Sequence, residues 1–227
     1  MDRFMRLGLL IGTEKKEQLK NTHILVVGLG GVGGYVVESL ARLGIGRLTL
    51  IDYDTIDITN CNRQVIALSS TIGKSKAQAW KSRILDINPE AEVFIHEVRL
   101  TKETVSDYID SSVDAIIDAC DTLEVKKELI RYAMKHKKLS ITVTGTALKK
   151  DPSKLQIMEL RKTSYDPLAR ELRSMAKSEF PKEKIMVVCS TEKPMKRTTE
   201  SLPSAVFVPS VAGILAANYI FQKIIGE

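Results

Sequence analysis

The apolar positions of this chain fall into short solid runs separated by longer stretches with helical spacing. The runs at 24–27, 47–51, 92–98, 113–118 and 140–144 are four to seven residues long and rich in Val, Ile and Leu, the pattern of strands buried on both faces. Between them, residues 32–42, about 74–86 and 123–136 repeat apolar positions at three to four residues and predict helices, with a shorter one near 102–108. The helix from 74 is expected to stop at Asn88-Pro89. Residues 1–21 predict an arm with one short helix. The alternation of strand and helix up to Gly145 predicts an α/β chain with a doubly wound, mostly parallel sheet. After Gly145 the rhythm changes. Strands at 154–160 and 185–188 flank a basic helical stretch at 166–178, and they are expected to be antiparallel additions in the C-terminal third. Residues 193–204 predict a mobile loop, and Pro209-Ser210 is expected to start a closing helix over 211–225.

Composition changes this picture little. With 227 residues, 27% charged and 5% aromatic, the chain suits one globular domain. The N-terminal segment carries Asp2, Arg3 and Arg6 with only a short apolar run, so no secretory signal is expected. The apolar run at 206–225 is interrupted by Pro209, Ser210, Asn218 and Gln222, which favours a buried helix over a membrane span. Cys61, Cys120 and Cys189 are an odd number with no CxxC pair, which argues against a disulfide framework or structural zinc and suits a cytoplasmic protein. Charge is more informative. Between Lys149 and Arg197 there are thirteen Lys or Arg against seven Asp or Glu, which accounts for the whole net charge of +6. A polyanionic partner on that side and a solvated lysine-rich surface both fit.

The first apolar run ends in Gly28-Leu29-Gly30-Gly31-Val32-Gly33-Gly34. Clustered glycines between a buried strand and a helix form a phosphate cradle: one allows a sharp turn, one lets backbone N–H groups approach an anion, and one lets helix and strand pack closely. The second strand ends in Asp52, about twenty residues beyond the glycines, the distance at which a ribose-binding carboxylate is expected. The arrangement is Rossmann-like.

The nucleotide is decided further on. Asp54, Asn60, Arg63 and Gln64 follow, then Lys76 at the start of a helix. A dehydrogenase needs no such cations near its phosphate loop. An enzyme splitting a triphosphate does, because charge builds on the α-phosphate and on departing pyrophosphate. Arg63 offers a bidentate fork and Lys76 a point charge. Asp118 and Asp121 close the fourth strand, at the carboxyl edge of the sheet where such folds bind ligands. Asp121 is the better placed to hold Mg²⁺, while Asp118 caps a helix or supports the site.

Arg3-x-x-Arg6, the glycine loop, Asp52-x-Asp54, Asn60-x-x-Arg63-Gln64, Lys76 and Asp118-x-x-Asp121 together resemble the ubiquitin-activating-enzyme-like adenylyltransferases, which include the molybdopterin-synthase and thiamine-thiocarboxylate activators. The resemblance implies ATP at Gly28, Gly30, Gly31 and Gly33 and ribose binding by Asp52. It also implies a nucleotide site shared by Asp54, Asn60 and Gln64, phosphate contacts by Arg63 and Lys76, and a magnesium ligand in Asp121. By the same resemblance, Arg6 reaches into the site of the other subunit of a homodimer.

Gly145-Thr146-Ala147-x-x-x-Asp151-Pro152, Lys162-Thr163-x-x-Asp166-Pro167-Leu168-Ala169-Arg170-x-x-Arg173, Ser190-Thr191-Glu192-Lys193-Pro194 and Val208-Pro209-Ser210-Val211-Ala212-Gly213 narrow the match. They are similar to the branch that dehydrates threonylcarbamoyladenosine in tRNA. That branch closes a threonine carboxylate beside the anticodon into a ring, using ATP to adenylate the carboxylate. The implied division is an arm over 1–22, a nucleotide-binding part over 23–145 and a substrate-binding and dimerisation part over 146–227. A C-terminal extension carried by some relatives is expected to be missing. The alternative is activation of the C-terminal glycine of a ubiquitin-like sulfur-carrier protein, against which the absence of paired CxxC motifs weighs. A monovalent cation (K⁺ or Na⁺) and a sulfur-relay partner remain open at this point. So does a thioester role for Cys61 or Cys189, although small buried hydrophobes are the commoner fate of lone cysteines. His23, His96 and His136 lack ligand-like spacing and read as structural, and Trp80 reads as core.

Overall fold

The computed structural model describes residues 2–198 and 202–227; residues 199–201 of the loop expected over 193–204 lie outside the described residues. Seven strands form one sheet in the order β3-β2-β1-β4-β5-β7-β6. These are β1 (His23–Val27), β2 (Arg47–Ile51), β3 (Glu92–His96), β4 (Ala115–Asp118), β5 (Leu139–Val143), β6 (Leu155–Glu159) and β7 (Met186–Ser190). The helices are α1 (Met5–Ile11), α2 (Thr13–Lys20), α3 (Gly33–Arg42), α4 (Lys76–Ile87), α5 (Leu123–Lys135), α6 (Pro167–Glu179) and α7 (Phe207–Ile224).

The solid apolar runs have the physical cause expected of them. Along β1 every residue is buried, and alternate side chains enter different cores. Ile24 and Val26 pack among α3, α4 and α7, while Leu25 and Val27 pack against α5 and the turn before it. A third cluster joins α6 to β7 through Leu172, Met175 and Val187. A sheet covered on both faces needs apolar residues on both, so its strands do not alternate. Trp80 is fully buried, as expected.

Four details depart from the sequence reading. The N-terminal arm holds two helices, divided at Gly12. The helix after Gly73 begins at Lys76, because Thr55 and Ser75 bridge and Ser75 caps the helix by accepting from the Gln78 N–H. In the C-terminal third, β6 is antiparallel to β7, but β7 itself runs parallel to β5, since α6 carries the chain back between the two additions. The closing helix starts at Phe207, two residues before Pro209; a proline in the first turn lacks only an N–H that has no partner there anyway. By length and composition α7 is long and apolar enough to cross a membrane. Here it packs on α3 and the sheet, burying Ala212, Ala216 and Ile220.

The order of the sheet sets the place of the site. From β1 the chain runs outward to β2 and β3, then crosses back to β4 on the other side. Such a reversal leaves a crevice at the carboxyl ends of the two central strands, and Gly28 and Asp118 mark those ends.

Candidate active site

The glycine loop is built by close approach. Gly28 sits at φ +85°, and a Cβ there would lie 2.8 Å from the Ala119 carbonyl oxygen. A Cβ on Gly33 would lie 1.7 Å from the Gly28 carbonyl oxygen, so only glycine lets α3 start directly above β1. Asp52 braces the loop from β2. Its Oδ2 accepts from the Leu29 N–H at 2.6 Å and its Oδ1 from the Asp54 N–H at 2.9 Å. Burial pushes the Asp52 carboxyl up, opposed by the charge of Lys76 and by these two N–H donors. No side chain caps the N-terminus of α3, leaving its first backbone N–H groups for an anion.

Across the loop stand the cations. A short 3-10 turn, Ile58–Asn60, is closed by a reciprocal cap between Asp57 and Asn60, and it positions Arg63. The Arg63 Nη1 donates to the Thr59 carbonyl and to Asn62 Oδ1, both at 2.9 Å, leaving the guanidinium's other donors for a ligand. Lys76 opens α4 with its side chain only 6% exposed, and its Nζ lies 2.7 Å from Asp54 Oδ2. Gln64 is buried against Gly30, and its Oε1 has no hydrogen-bond partner among the described residues. Asp52, Arg63, Gln64, Lys76 and Asp121 all line one cavity of about 600 Å³, whose far wall is residues 144–147 and Leu168. The sequence-predicted residues Gly28, Gly30, Gly31, Asp54 and Asn60 border it as well, while Gly33 lies just behind the loop.

The two carboxylates at the end of β4 divide their work. Asp118 is buried, and both its oxygens accept from Lys126, at 3.1 and 3.2 Å. It supports the site from behind. Burial alone would lower the Lys126 ammonium, but the Asp118 carboxylate outweighs this and holds it above its ordinary value. Asp121 is exposed and, among the described residues, its carboxylate accepts only from the Thr122 hydroxyl, at 3.4 Å. Among the described residues no cluster of three or more His, Cys, Asp or Glu is arranged for a metal. A single open carboxylate suits Mg²⁺, which commonly takes one or two carboxylates with phosphates and water.

Arg6 is exposed on α1 and does not line the cavity of its own chain. The basic segment is only partly a surface. Lys149 is buried, donating to the Gly145 carbonyl and to Asp166, and Arg173 grips the Thr163 carbonyl at 2.9 Å. Arg161, Lys162 and Arg170 are exposed.

The cysteines divide three ways. Cys189 is buried, as expected of a lone cysteine, whereas Cys61 is exposed, because it lies on the turn that presents Arg63. Cys120 lines the cavity, but burial and the neighbouring Asp118 push its thiol well up, away from the nucleophilic thiolate. His23 bonds to Ser112 and Thr49, both at 2.8 Å. His96 and His136 pack on Tyr108 and Tyr132, so all three histidines have structural neighbours.

Two parts of the site lie outside the residues expected from the sequence. Lys126 was legible in principle: it stands four residues before Ile130 and seven before Ala133, on the buried stripe of α5. The Arg99 guanidinium lies 5.3 Å above the Tyr53 ring at the cavity wall, a cation–π contact that brings together residues 46 apart in the chain, with no local signal.

A ThiF family model matches residues 2–227. The chain is 38% identical over 244 residues to the tRNA threonylcarbamoyladenosine dehydratase of Bacillus subtilis, covering all of this chain and 96% of that protein. The enzyme of the same name from Haemophilus influenzae is 36% identical over 98% of this chain and 93% of its own length. The crystal structure of the E. coli tRNA N6-threonylcarbamoyladenosine dehydratase in complex with ATP superposes with a TM-score of 0.92 at 36% identity, covering 98% of this chain and 93% of that one. On its fold, its glycine loop and its full-length likeness to these enzymes, the chain belongs to the ThiF family, within the tRNA threonylcarbamoyladenosine dehydratase branch.

Proposed function

We propose that this protein is an ATP-dependent tRNA threonylcarbamoyladenosine dehydratase, an adenylate-forming enzyme acting on the modified adenosine beside the anticodon. The observation that carries the reading is the convergence of Arg63, Lys76 and Asp121 on the glycine-loop cavity, in a chain so similar to an enzyme crystallised with ATP. ATP lies with its ribose toward Asp52 and its phosphates over the glycine loop. Asp54, Asn60 and Gln64 complete the nucleotide site, the orphaned Gln64 Oε1 being one acceptor that a ligand donor can satisfy. Gln64 and Lys76 need no ordering on binding, because both side chains are already buried in place.

In the reaction, a threonine carboxylate oxygen attacks the α-phosphorus and pyrophosphate departs. A nucleophile within the same modified base then attacks the acyl carbon and displaces AMP. The ring closes, and the net loss from the base is one water. Arg63 and Lys76 stabilise charge developing on the α-phosphate and the leaving group. Mg²⁺ held by Asp121 would neutralise phosphate charge. No protein nucleophile is needed, which agrees with the burial that pushes the Cys120 thiol up.

We further infer a homodimer in which each Arg6 serves the partner's site, consistent with its exposure and its place outside the lining of its own chain's cavity. The arm over 1–22 and the nucleotide-binding part over 23–145 are followed by a part over 146–227 for substrate and dimer contacts. A tRNA substrate supports a cytoplasmic location. The test is a pyrophosphate-release assay comparing threonylcarbamoylated tRNA with a carrier protein ending in diglycine. Release with the tRNA alone is expected; release with the carrier alone overturns the proposal in favour of sulfur-carrier activation.

A further inference from the structure

Tyr165 is held in a conformation that its own side chain disfavours. Its φ is +57°, in the left-handed region that glycine or asparagine adopts readily and a bulky residue does not. The ring gives the fold nothing in return. It is 59% exposed, belongs to no core cluster, and its hydroxyl has no hydrogen bond among the described residues. Strain of this kind persists where the surroundings over-determine the backbone, and it concentrates at functional sites.

Both flanks of Tyr165 are pinned. Asp166 is 4% exposed, accepts from the Ala169 N–H at 2.9 Å as the cap of α6, and meets Lys149 Nζ at 3.1 Å. Thr163 is buried, gives its hydroxyl to the Leu160 carbonyl at 2.6 Å and is held by Arg173. Ser164 and Tyr165 must bridge these fixed points. The bridge adjoins residues of the cavity wall: Asp166 packs against Gly145, and both Gly145 and Leu168, three residues beyond Tyr165, line the cavity. The adjoining chain exposes Arg161, Lys162 and Arg170.

We propose that Tyr165 is a stacking platform for an unpaired nucleobase of the RNA substrate, a site that rests on the dehydratase reading above. A base whose substituent must reach the α-phosphate has to leave its stack. Its neighbour then exposes a face, and aromatic side chains beside cations capture such faces with little regard for base identity. An exposed ring outside the core, next to cavity-lining residues and on a segment that carries exposed basic residues, meets that requirement.

The test measures the affinity of an anticodon stem–loop carrying the threonylcarbamoyl group for wild type, Tyr165→Phe, Tyr165→Ala and Tyr165→Asn. Each unpaired loop nucleotide is replaced in turn by an abasic one. Tyr165→Phe should bind within about twofold of wild type, and Tyr165→Ala about five- to a hundredfold more weakly. The salt slope should not change, because no phosphate contact is lost. One abasic position should weaken wild type to a similar extent and weaken Tyr165→Ala no further. Tyr165→Asn, which suits the left-handed backbone, should melt at a higher temperature yet bind RNA as poorly as the alanine variant. Wild-type affinity in Tyr165→Ala, or losses that simply add at every abasic position, overturns the stacking role. A wild-type protein that neither binds nor turns over threonylcarbamoylated RNA overturns the dehydratase reading and the stacking role with it.

Discussion

Lys126 and Asp118 form an ion pair inside the protein, with the ammonium 3.1 Å from the carboxylate and side chains 0% and 2% exposed. The same Nζ donates to the Val143 carbonyl at 2.7 Å. The carboxyl ends of β4 and β5 are thereby tied together directly behind Cys120, Asp121 and Thr144, which line the cavity. Removing one partner strands a buried charge, which typically costs about 3–5 kcal/mol. Lys126→Met should lose that much in denaturant unfolding, and adding Asp118→Leu should recover a large part of it. A Lys126→Met protein within about 1 kcal/mol of wild type would contradict the strut, since that is the range of an exposed pair.

Arg63→Ala and Lys76→Ala should each fold normally and release pyrophosphate about 10²–10³-fold more slowly, the usual cost of one preorganised charge contact. The ion-pair partner of Lys76, Asp54, is 44% exposed, and buried Asp52, which also feels the ammonium, keeps its two N–H donors, so losing Lys76 should cost the fold little. Near-wild-type release by either variant would remove both residues from the phosphate site.

Burial, with the charge of Arg47 adding to it, lowers the pKa of His23 below 6.5, so the folded chain keeps the imidazole neutral where the unfolded chain protonates it. The unfolded state then binds more protons as pH falls below 6.5, and stability drops with it. His23→Gln should flatten the pH dependence of unfolding between about pH 5 and 6.5, the interval below the ordinary histidine value. An unchanged slope would mean that His23 does not set it.

The parts of the molecule legible in the sequence are those whose signal is local. Gly28 and Gly33 fall where a strand turns into a helix, Asp52 and Asp121 just after strand ends, Lys76 at a helix start and Arg63 just after a short turn, so spacing, residue type and the family resemblance pointed to one edge. The direction of β7 was hidden because it depends on where α6 sends the chain, not on any residue within the strand. Lys149 looked like one more surface lysine, yet it is buried, because Asp166 caps α6 from seventeen positions away and needs a counter-charge. Such pairings are made by tertiary structure, and periodicity does not report them.

The shared-site proposal makes its own demand. If Arg6 serves the partner's cavity, mixing inactive Arg6→Ala with inactive Asp121→Ala subunits should restore part of the activity, because some mixed dimers carry one complete site. Exchange of subunits verified by mass, with no activity regained, counts against a site completed in trans.

The proposed reaction requires the threonine carboxylate to attack ATP. The most direct measurement is pyrophosphate release with the same tRNA bearing or lacking the threonylcarbamoyl group, at fixed salt because backbone binding is salt-dependent. Both tRNAs should bind, and only the modified one should release pyrophosphate above the protein-only background. Equal release from the two would show that the threonine carboxylate is not the nucleophile, and would contradict the mechanism even with ATP seated on the glycine loop.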